Sequence, residues 1–223
     1  MTLEPLCFIR TPFIEKFGVP RQSLLVADAI GEMVFPKNDF YAEAFRGIET
    51  FSHLWLIFEF HQVEEKSVQA LVRPPRFEGK MKLGVFATRS PHRPNRMGLS
   101  VVKFLKIEEK KDSVHLFVSG VDLVDGTPIL DIKPYIPYAD SVDATAPLFP
   151  EAPPKIPVVW KCSIPPEKNM VEEIVSLDPR PGHQKNETTS YGLTLNDLNI
   201  RFQMAGDQFE ILEVERKVLG SES

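Results

Sequence analysis

The sequence predicts a mainly β fold, a small barrel or sandwich followed by a small α+β unit at the C-terminal end. Seven short runs within the first 135 residues are rich in β-branched and aromatic residues and end at turn signals. No long helical stripe lies between these runs, which argues against a doubly wound sheet. Nine of the 20 prolines lie between Pro134 and Pro166, so a long helix or a central strand is excluded there.

The predicted strands follow in chain order as the runs CFIRT, EAFRGI, FSHLWLIFEF, LGVFAT, SVVKFLKIEE, SVHLFVSGV and PILDIKPY. The run SLLVADAIGEMVF suits a strand or a helix. We expect this β domain to span residues 1–145.

The proline-rich stretch predicts an extended connector, with the domain boundary inside it. We expect residues 146–223 to hold the connector and the small α+β unit. A helix is predicted from about Glu167, and Pro179 stops it. The runs LNIRFQMA and QFEILEVER predict two strands, and the turn AGDQ between them suits a hairpin.

Composition predicts a soluble globular protein, because 43% of the 223 residues are hydrophobic and 26% are charged. No apolar run reaches membrane-spanning length, so we expect no membrane association. The first residues lack a basic region followed by an apolar stretch, so we expect no signal peptide and a cytoplasmic location. Cys7 and Cys162 are far apart and match no metal spacing.

Most common catalytic motifs are absent from the sequence. The twelve glycines form no G-x-G pair, and Val85 and Phe86 follow Gly84 where a P-loop needs Lys and Ser or Thr. The five histidines show no H-x-x-x-H arrangement, so we expect no bound metal. There is no G-x-S-x-G elbow. These absences exclude most hydrolase, kinase and dehydrogenase interpretations.

The charge distribution is uneven. Residues 73–106 hold nine Lys or Arg and one acid, a net charge of +8, which leaves −13 for the rest because the whole chain carries −5. Such a basic segment in an acidic protein indicates a local anionic partner. Four of its lysines also suit solvated strand faces: Lys80, Lys82, Lys103 and Lys106.

Two short polar segments are candidates for a site. In KFGVPRQS, the residues Gly18 and Pro20 fix a turn that presents Arg21 and Gln22. The apolar run FSHLWLIFEF leads into the pair His61–Gln62, which either faces a site or marks a strand that leaves the core.

The loop RSPHRPNRMG is the strongest candidate. Pro91 and Pro94 stiffen it, so its polar side chains are ordered at low entropic cost. In the later run ILDIKPY, alternation puts Asp131, Lys133 and Tyr135 on one face of a strand. That face is either the wall of a site or a structural ion pair.

Together, the motifs VPRQ, ATRSPHRPNRMGLS and GVDLVDGTPILDIKPYIPYADS resemble the signatures of the TsaA-like (TrmO) tRNA methyltransferases. The stretch DPRPG…YGLTLNDLNIRF resembles the C-terminal extension of the bacterial members. The resemblance implies a small, non-Rossmann β-barrel that uses S-adenosylmethionine, and a homodimer with the cofactor site near the subunit interface. The implied reaction methylates the base-attached nitrogen of threonylcarbamoyl-adenosine beside the anticodon of certain tRNAs.

The resemblance also implies roles for individual positions. The implied cofactor contacts are Pro20, Arg21, Gln22, His61, Gln62, Arg89, Leu99, Ser119, Gly120, Val121, Asp122 and Leu123. The implied contacts to the tRNA anticodon arm are His92, Arg93, Asn95, Arg96 and Tyr135.

The expected chemistry agrees with this interpretation. An anticodon arm is polyanionic, so binding needs a local cationic surface even on an acidic protein. The target nitrogen belongs to a urea-like group and must lose a proton, so a base contributes on the order of 10²–10⁴-fold. Asp131 is the candidate base and Lys133 the residue that stabilises charge, with Tyr135 or Tyr191 as alternatives for the base.

Two other functions remain open from the sequence. A non-catalytic RNA-binding barrel explains the short strands and the basic loop, but it leaves VPRQ and GVDLVDGTPILDIKPY unexplained. A small-molecule methyltransferase or hydrolase on the same barrel would use the arginines to bind a phosphate.

Overall fold

The computed structural model describes residues 3–64, 67–74, 81–148, 151–180 and 189–217. The strands are β1 (Cys7–Arg10), β2 (Ile30–Pro36), β3 (His53–Glu59), β4 (Leu71–Val72), β5 (Leu83–Gly84), β6 (Met97–Glu109), β7 (Ser113–Ser119), β8 (Thr127–Pro134), β9 (Val158–Trp160), β10 (Ser190–Leu195), β11 (Leu198–Ala205) and β12 (Gln208–Arg216). The helices are α1 (Asp39–Ala44), α2 (Pro137–Asp140) and α3 (Lys168–Ser176), with 3-10 turns at Ile48–Thr50 and Val85–Ala87.

Six strands form a closed antiparallel barrel in the order β1-β2-β7-β6-β3-β8. Strand β3 shows why this sequence forms a barrel wall. Its residues Leu54, Leu56 and Phe58 are buried inside, while the residues between them are partly exposed. This period of two is typical of a strand with one face in the core. The prediction of a mainly β fold, a small non-Rossmann barrel, is confirmed.

A β-bulge interrupts strand β8. Ile57 pairs with Asp131, but Phe58 pairs with Ile129, so Leu130 is an extra residue on β8. A bulge changes the face to which the following side chains point. Ile129 is therefore fully buried in the barrel, whereas the Asp131 side chain, two positions later, is 45% exposed on the outside.

The C-terminal unit is a four-stranded sheet in the order β10-β11-β12-β9, with α3 contacting β9. Strand β9 runs parallel to β12, and the other pairs are antiparallel. The predicted helix near Glu167 and the predicted hairpin are confirmed by α3, β11 and β12. The division of the chain near residue 145 remains a prediction.

Two predicted strands are wrong. The run EAFRGI lies at the end of helix α1 and in the turn after it. Asn38 caps this helix by accepting a hydrogen bond from the Tyr41 N–H at 2.9 Å. Tyr41 and Phe45, four residues apart, then pack on Phe35 with ring centroids 5.0 and 4.9 Å away. Helical spacing places the two rings about one turn apart, close enough for both to pack on the same Phe35 ring.

The run LGVFAT forms a strand only at Leu83–Gly84 and then turns through a 3-10 helix. The Val85 N–H donates to the Ala70 carbonyl, and the Thr88 hydroxyl donates to the Val85 carbonyl. The first bond continues the β4–β5 pairing by one residue, and the second closes the turn in place of further strand pairing. The ambiguous run SLLVADAIGEMVF forms a strand from Ile30 onward and irregular turns before it.

The predicted connector contains α2 and β9 as well as extended chain. Within the described ranges, no helix is long and apolar enough to cross a membrane.

Candidate functional site

A cavity of about 510 Å³ lies between the 16–19 segment, the end of β3 with the loop after it, and the chain that leaves β7. This volume falls in the range of small-molecule sites. Apolar walls come from Val19, Phe58, Phe60, Leu123 and Val124. Polar side chains on the walls include Lys16, His61, Gln62, His92 and Asp122. Four of the residues predicted from the sequence for cofactor binding therefore line one cavity: His61, Gln62, Asp122 and Leu123.

Gly98 makes room for one aromatic wall. A Cβ atom at this position would lie 2.2 Å from the Phe58 ring, a distance that real atoms do not adopt. The glycine in the motif NRMGLS thus allows the backbone of β6 to approach the Phe58 ring, which then packs edge-to-face with Phe60 at 5.2 Å.

Asp122 is the most unusual side chain of this cavity. Its Oδ1 atom is buried and has no hydrogen-bond partner among the described residues. Burial raises the pKa of Asp122 to about 6, against the opposing effects of the Ser100 hydroxyl and the nearby Arg89 charge. A buried carboxylate oxygen without a partner is costly, so its presence beside a cavity indicates a place for a cationic or donor group.

The predicted turn Pro20–Gln22 lies next to the predicted basic loop. The Arg89 guanidinium donates a hydrogen bond from Nη1 to Gln22 Oε1. Leu24, two residues after this turn, contacts the segment SGVDL, because its N–H donates to the Gly120 carbonyl at 2.8 Å. Segments separated by about 70 to 100 residues in the sequence are thus brought together on one side of the barrel.

The His61–Gln62 pair is held at the cavity by backbone contacts. The Lys16 ammonium donates to the Gln62 carbonyl at 2.7 Å. Burial lowers the pKa of His61, and the Lys16 charge acts in the same direction, while Glu59 opposes both. His61 therefore favours its neutral form.

Two arginines of the basic loop stabilise the loop itself. Arg93 donates from Nη2 to the carbonyls of Val85 and Thr88 at 3.3 and 3.1 Å. Arg96 forms an ion pair with Glu59 at 2.9 Å and donates to the Val63 carbonyl at 3.0 Å. Their guanidinium groups thus add to the stiffness that the prolines supply, a role the sequence reasoning missed.

The remaining polar residues of the loop differ in exposure. The His92 ring is 3.2 Å from the Ser67 hydroxyl, whereas Arg89 and Asn95 are exposed. The predicted RNA contacts of this loop stay a prediction. Arg76 and Lys80 of the basic segment lie outside the described residues.

Three predicted site residues lie away from the cavity, on the outer face of the barrel. Asp131 and Leu99 pair with the same residue of β3, Ile57, so the three form one row across β8, β3 and β6. Leu99 is 52% exposed there. The Lys133 ammonium lies 2.7 Å from Asp131 Oδ2, and both side chains are about half exposed.

The tyrosines proposed as alternative bases occupy different places. The Tyr135 ring lies 5.8 Å from the Trp55 ring on the outer face. Tyr191 is buried in the C-terminal sheet, with its ring 5.8 Å from that of Phe202. Tyr135 therefore shares a surface with Asp131, and Tyr191 does not.

Other cavity residues had no distinctive signal in the sequence. Phe58 and Phe60 belong to an ordinary apolar run, and only the folded chain shows that they face a cavity. No three His, Cys, Asp or Glu side chains come together as a metal-holding group in the part of the chain that the structure describes.

Comparison with known proteins gives matches along the whole chain. The model of the tRNA-methyltransferase O N-terminal domain matches residues 8–141, and that of the TrmO C-terminal domain matches residues 160–217. The chain belongs to the TrmO family. The family predicted from the sequence motifs is thereby confirmed.

Individual TrmO relatives extend over nearly the full length. The tRNA (adenine(37)-N6)-methyltransferase of Escherichia coli K12 is 40% identical over 95% of this chain and 97% of its own. A protein of Pseudomonas aeruginosa PAO1, named "Putative S-adenosylmethionine-dependent methyltransferase RcsF", is 42% identical over 96% of this chain and 97% of its own. The crystal structure of TrmO from Pseudomonas aeruginosa aligns with a TM-score of 0.79 and 36% identity over 97% of both chains. These relatives bear out the expectation of an S-adenosylmethionine-dependent tRNA methyltransferase.

The residues at the cavity fit the cofactor that the family implies. S-adenosylmethionine carries a sulfonium, a carboxylate and an adenine. The Asp122 Oδ1 atom, which has no partner among the described residues, complements the positive sulfonium, and the aromatic walls suit the adenine. The Arg89 guanidinium, which does not line the cavity but acts on Asp122, complements the carboxylate.

Proposed function

We propose that the protein transfers the methyl group of S-adenosylmethionine to the base nitrogen of threonylcarbamoyl-adenosine, beside the anticodon of tRNA. The observation that carries this proposal is the buried Asp122 carboxylate, one oxygen of which has no partner among the described residues, in a cavity of small-molecule size. The names of the relatives support N6 of adenine 37 as the acceptor. The threonylcarbamoyl group on that nitrogen is part of our proposal.

Bound S-adenosylmethionine supplies an activated methyl group, so the protein has mainly to bind and orient the two reactants. Asp122 neutralises positive charge within the apolar cavity, where electrostatic attraction is stronger than in water. Arg89 and Gln22 bind the polar end, with Arg21 and Pro20 fixing the turn. Backbone groups of the 119–123 segment hydrogen-bond the adenine.

The functional unit that we propose is a homodimer with a composite site. Leu99, Asp131 and Lys133 lie outside the cavity of their own chain, although the family resemblance implies a role for each. The positions of these residues agree with their implied roles if the outer face of β3, β6 and β8 lies against the cavity of a second copy. The exposed apolar side chains of Met97 and Leu99 on that face support such an interface.

In this arrangement Asp131 accepts the proton that the urea-like nitrogen loses, and Lys133 stabilises the negative charge that develops. The ion pair at 2.7 Å keeps the carboxylate oriented while leaving it half exposed to a substrate. Asp131 is thus proposed as the base in the site of the partner copy.

The tRNA is bound through the exposed part of the basic segment. Arg89 and Asn95 are exposed at the loop, and Lys82 and Lys103 lie on the same segment. The polyanionic anticodon arm is attracted to this surface and repelled by the acidic remainder of the chain. A tRNA substrate also makes a cytoplasmic location part of the proposal.

The deciding experiment is mass spectrometry of tRNA nucleosides before and after incubation with the protein and S-adenosylmethionine. We expect a gain of one methyl group on threonylcarbamoyl-adenosine. Matched tRNA that lacks the threonylcarbamoyl group should gain none. Methylation of both tRNAs to the same extent would contradict the proposed acceptor, and methylation of neither would contradict the reaction.

Two further measurements separate the other functions. Calorimetric titration with S-adenosylmethionine gives no saturating heat for a pure RNA-binding barrel. A small-molecule enzyme that grips one phosphate shows a shallow salt dependence, whereas several phosphate contacts to tRNA make affinity fall steeply with salt.

A further inference from the structure

The C-terminal unit packs directly on the segment that carries the Pro20–Gln22 turn. The Phe17 ring stacks on the Phe202 ring, with centroids 6.4 Å apart. Gly18 has φ of +91°, and a Cβ atom there would lie 2.1 Å from the Leu193 side chain, so only glycine allows the two units this close. The segment before the turn is therefore fixed against β10 and β11.

Hydrogen bonds tie both ends of this segment to the C-terminal unit. Before the turn, the Thr194 N–H donates to Glu15 Oε1 at 3.0 Å, and the Asn196 N–H donates to the Pro12 carbonyl at 2.8 Å. After the turn, the Ala27 N–H donates to Glu173 Oε2 at 2.8 Å. The Pro20–Gln22 turn is thus held between two sets of contacts that come from the same unit.

Arg180 of the C-terminal unit pairs with Asp178, the residue whose carbonyl contacts Arg21 of the turn. It is 5% exposed, forms an ion pair with Asp178 through two bonds of 2.7 and 3.2 Å, and lies over the Phe209 ring at 4.9 Å. Asp178 has φ of +53°, a left-handed conformation that is unfavourable for a residue with a side chain. The buried guanidinium pairs with the Asp178 carboxylate in this conformation, and we expect the pair to stabilise it.

The Asp178 carbonyl connects this ion pair to the Pro20–Gln22 turn. It accepts a hydrogen bond from Arg21 Nη2 at 3.3 Å. Arg21 in turn accepts on its own carbonyl from Gln22 Nε2 at 2.6 Å, and Gln22 Oε1 accepts from Arg89. The Arg89 charge acts on Asp122, which lines the cavity. Polar contacts therefore join the interior of the C-terminal unit to Arg89, whose charge acts on the cavity carboxylate.

We propose that Arg180 is a positioning residue for the cofactor site, and that the C-terminal unit orders the Pro20–Gln22 turn through Arg180 and Asp178. This inference rests on the proposed function for its binding readout. It gives the C-terminal unit a role in cofactor affinity that does not require it to touch RNA.

The test compares two conservative substitutions in the C-terminal unit. Arg180→Lys keeps the charge but loses the fork that binds both Asp178 oxygens. Arg201→Lys is the matched control, because Arg201 pairs with Glu213 at 3.1 Å on the exposed side of the same sheet. Calorimetric titration with S-adenosylmethionine should give a Kd raised about tenfold for Arg180→Lys and unchanged for Arg201→Lys.

Stoichiometry separates positioning from a loss of folded protein. A purely structural defect lowers the fraction of molecules that bind and leaves Kd unchanged, whereas lost positioning raises Kd at full stoichiometry. If Arg180→Lys does not fold, Asp178→Asn is measured instead, because asparagine tolerates the left-handed conformation but loses the charged pair. Equal Kd values for the wild type and the folded variant would overturn the proposal.

A second readout needs no cofactor. The Leu24 N–H, two residues after the turn, is bonded to the Gly120 carbonyl, so its hydrogen exchange reports the order of the turn. We expect faster exchange in peptides covering residues 20–25 for Arg180→Lys and no change for Arg201→Lys. Absence of cofactor binding in the wild type would contradict the proposed function alone, while unchanged exchange in Arg180→Lys would contradict the positioning role alone.

Discussion

Asp122 and Asp131 lie nine residues apart in the sequence, and the fold gives them opposite surroundings. Asp122 follows β7, and one of its carboxylate oxygens has no partner among the described residues. Burial raises the pKa of Asp122 to about 6. Asp131 lies on the outer face of β8 and is paired with Lys133 in contact with solvent. The comparison teaches that burial and pairing, rather than residue type, distinguish these two carboxylates, for which we propose cofactor binding and proton transfer respectively.

The largest expected effect concerns the outer carboxylate. Asp131→Ala should lower the single-turnover rate of tRNA methylation on the order of 10²–10⁴-fold, because the base is lost. The Kd for S-adenosylmethionine should change by less than about twofold. Rapid-quench kinetics at saturating cofactor measures the rate. Asp143→Ala in the exposed connector is the control, and a full rate in Asp131→Ala would eliminate Asp131 as the base.

The buried carboxylate should affect binding instead. Asp122→Asn should raise the Kd for S-adenosylmethionine by about 10- to 100-fold, the loss of one charge-assisted contact in an apolar cavity. Calorimetric titration measures this Kd, and Asp131→Asn is the matched control on the outer face. If the two variants bind the cofactor equally well, the proposed distinction between the two aspartates is wrong.

The pH dependence of cofactor binding should sharpen the comparison further. Because the pKa of Asp122 is about 6, this carboxyl goes from mostly neutral at pH 5 to mostly charged at pH 7. Cofactor affinity should therefore rise over this window by up to about tenfold and level off above it. The Asp122→Asn variant should lack this rise. Titrations at several pH values test both expectations.

Stability should show the opposite dependence on pH. A raised pKa means that the folded state binds the proton more tightly than the unfolded state does. The contribution of Asp122 to the free energy of unfolding should thus be present below about pH 4 and be lost as pH rises to about 6. Chemical denaturation of the wild type and of Asp122→Asn across this range measures the difference, and identical pH profiles would contradict it.

The smallest expected effect is that of the exposed ion pair on stability. Lys133→Ala should change the free energy of unfolding by less than about 1 kcal/mol, since both partners are about half exposed to solvent. Urea denaturation provides the measurement. A loss several times larger would mean that the outer face depends on this pair for its structure.

Much of the fold follows from local sequence signals. Strand β3 and the turn between β11 and β12 are visible in single runs, and both predictions are confirmed. The run EAFRGI, at the end of helix α1, was predicted as a strand, because Phe45 also suits a strand and only the packing of Tyr41 and Phe45 on Phe35 decides. Such a choice depends on tertiary contacts, which a local pattern does not contain.

The candidate site was predictable in its motifs and not in its geometry. The runs VPRQ, RSPHRPNR and SGVDL do come together, as Arg89 with Gln22 and Leu24 with Gly120 demonstrate. The sequence does not show that Arg93 binds the Thr88 carbonyl or that Arg96 binds the Val63 carbonyl in the loop after β3, because arginine has the same letter in a structural and in an RNA-binding role. The position of Leu99 and Asp131 outside the cavity depends on strand register, which the sequence does not state.

The bulge in β8 has a consequence for how this protein tolerates change in length. Leu130 is the extra residue that lets one strand fill the barrel with Ile129 and present Asp131 outside. Replacing Leu130 with another residue keeps the bulge. Deleting it would restore strict alternation, so that either the Ile129 side chain would face water or the Asp131 side chain would face the core. At this point in the chain, the count of residues is a stronger constraint than their identity.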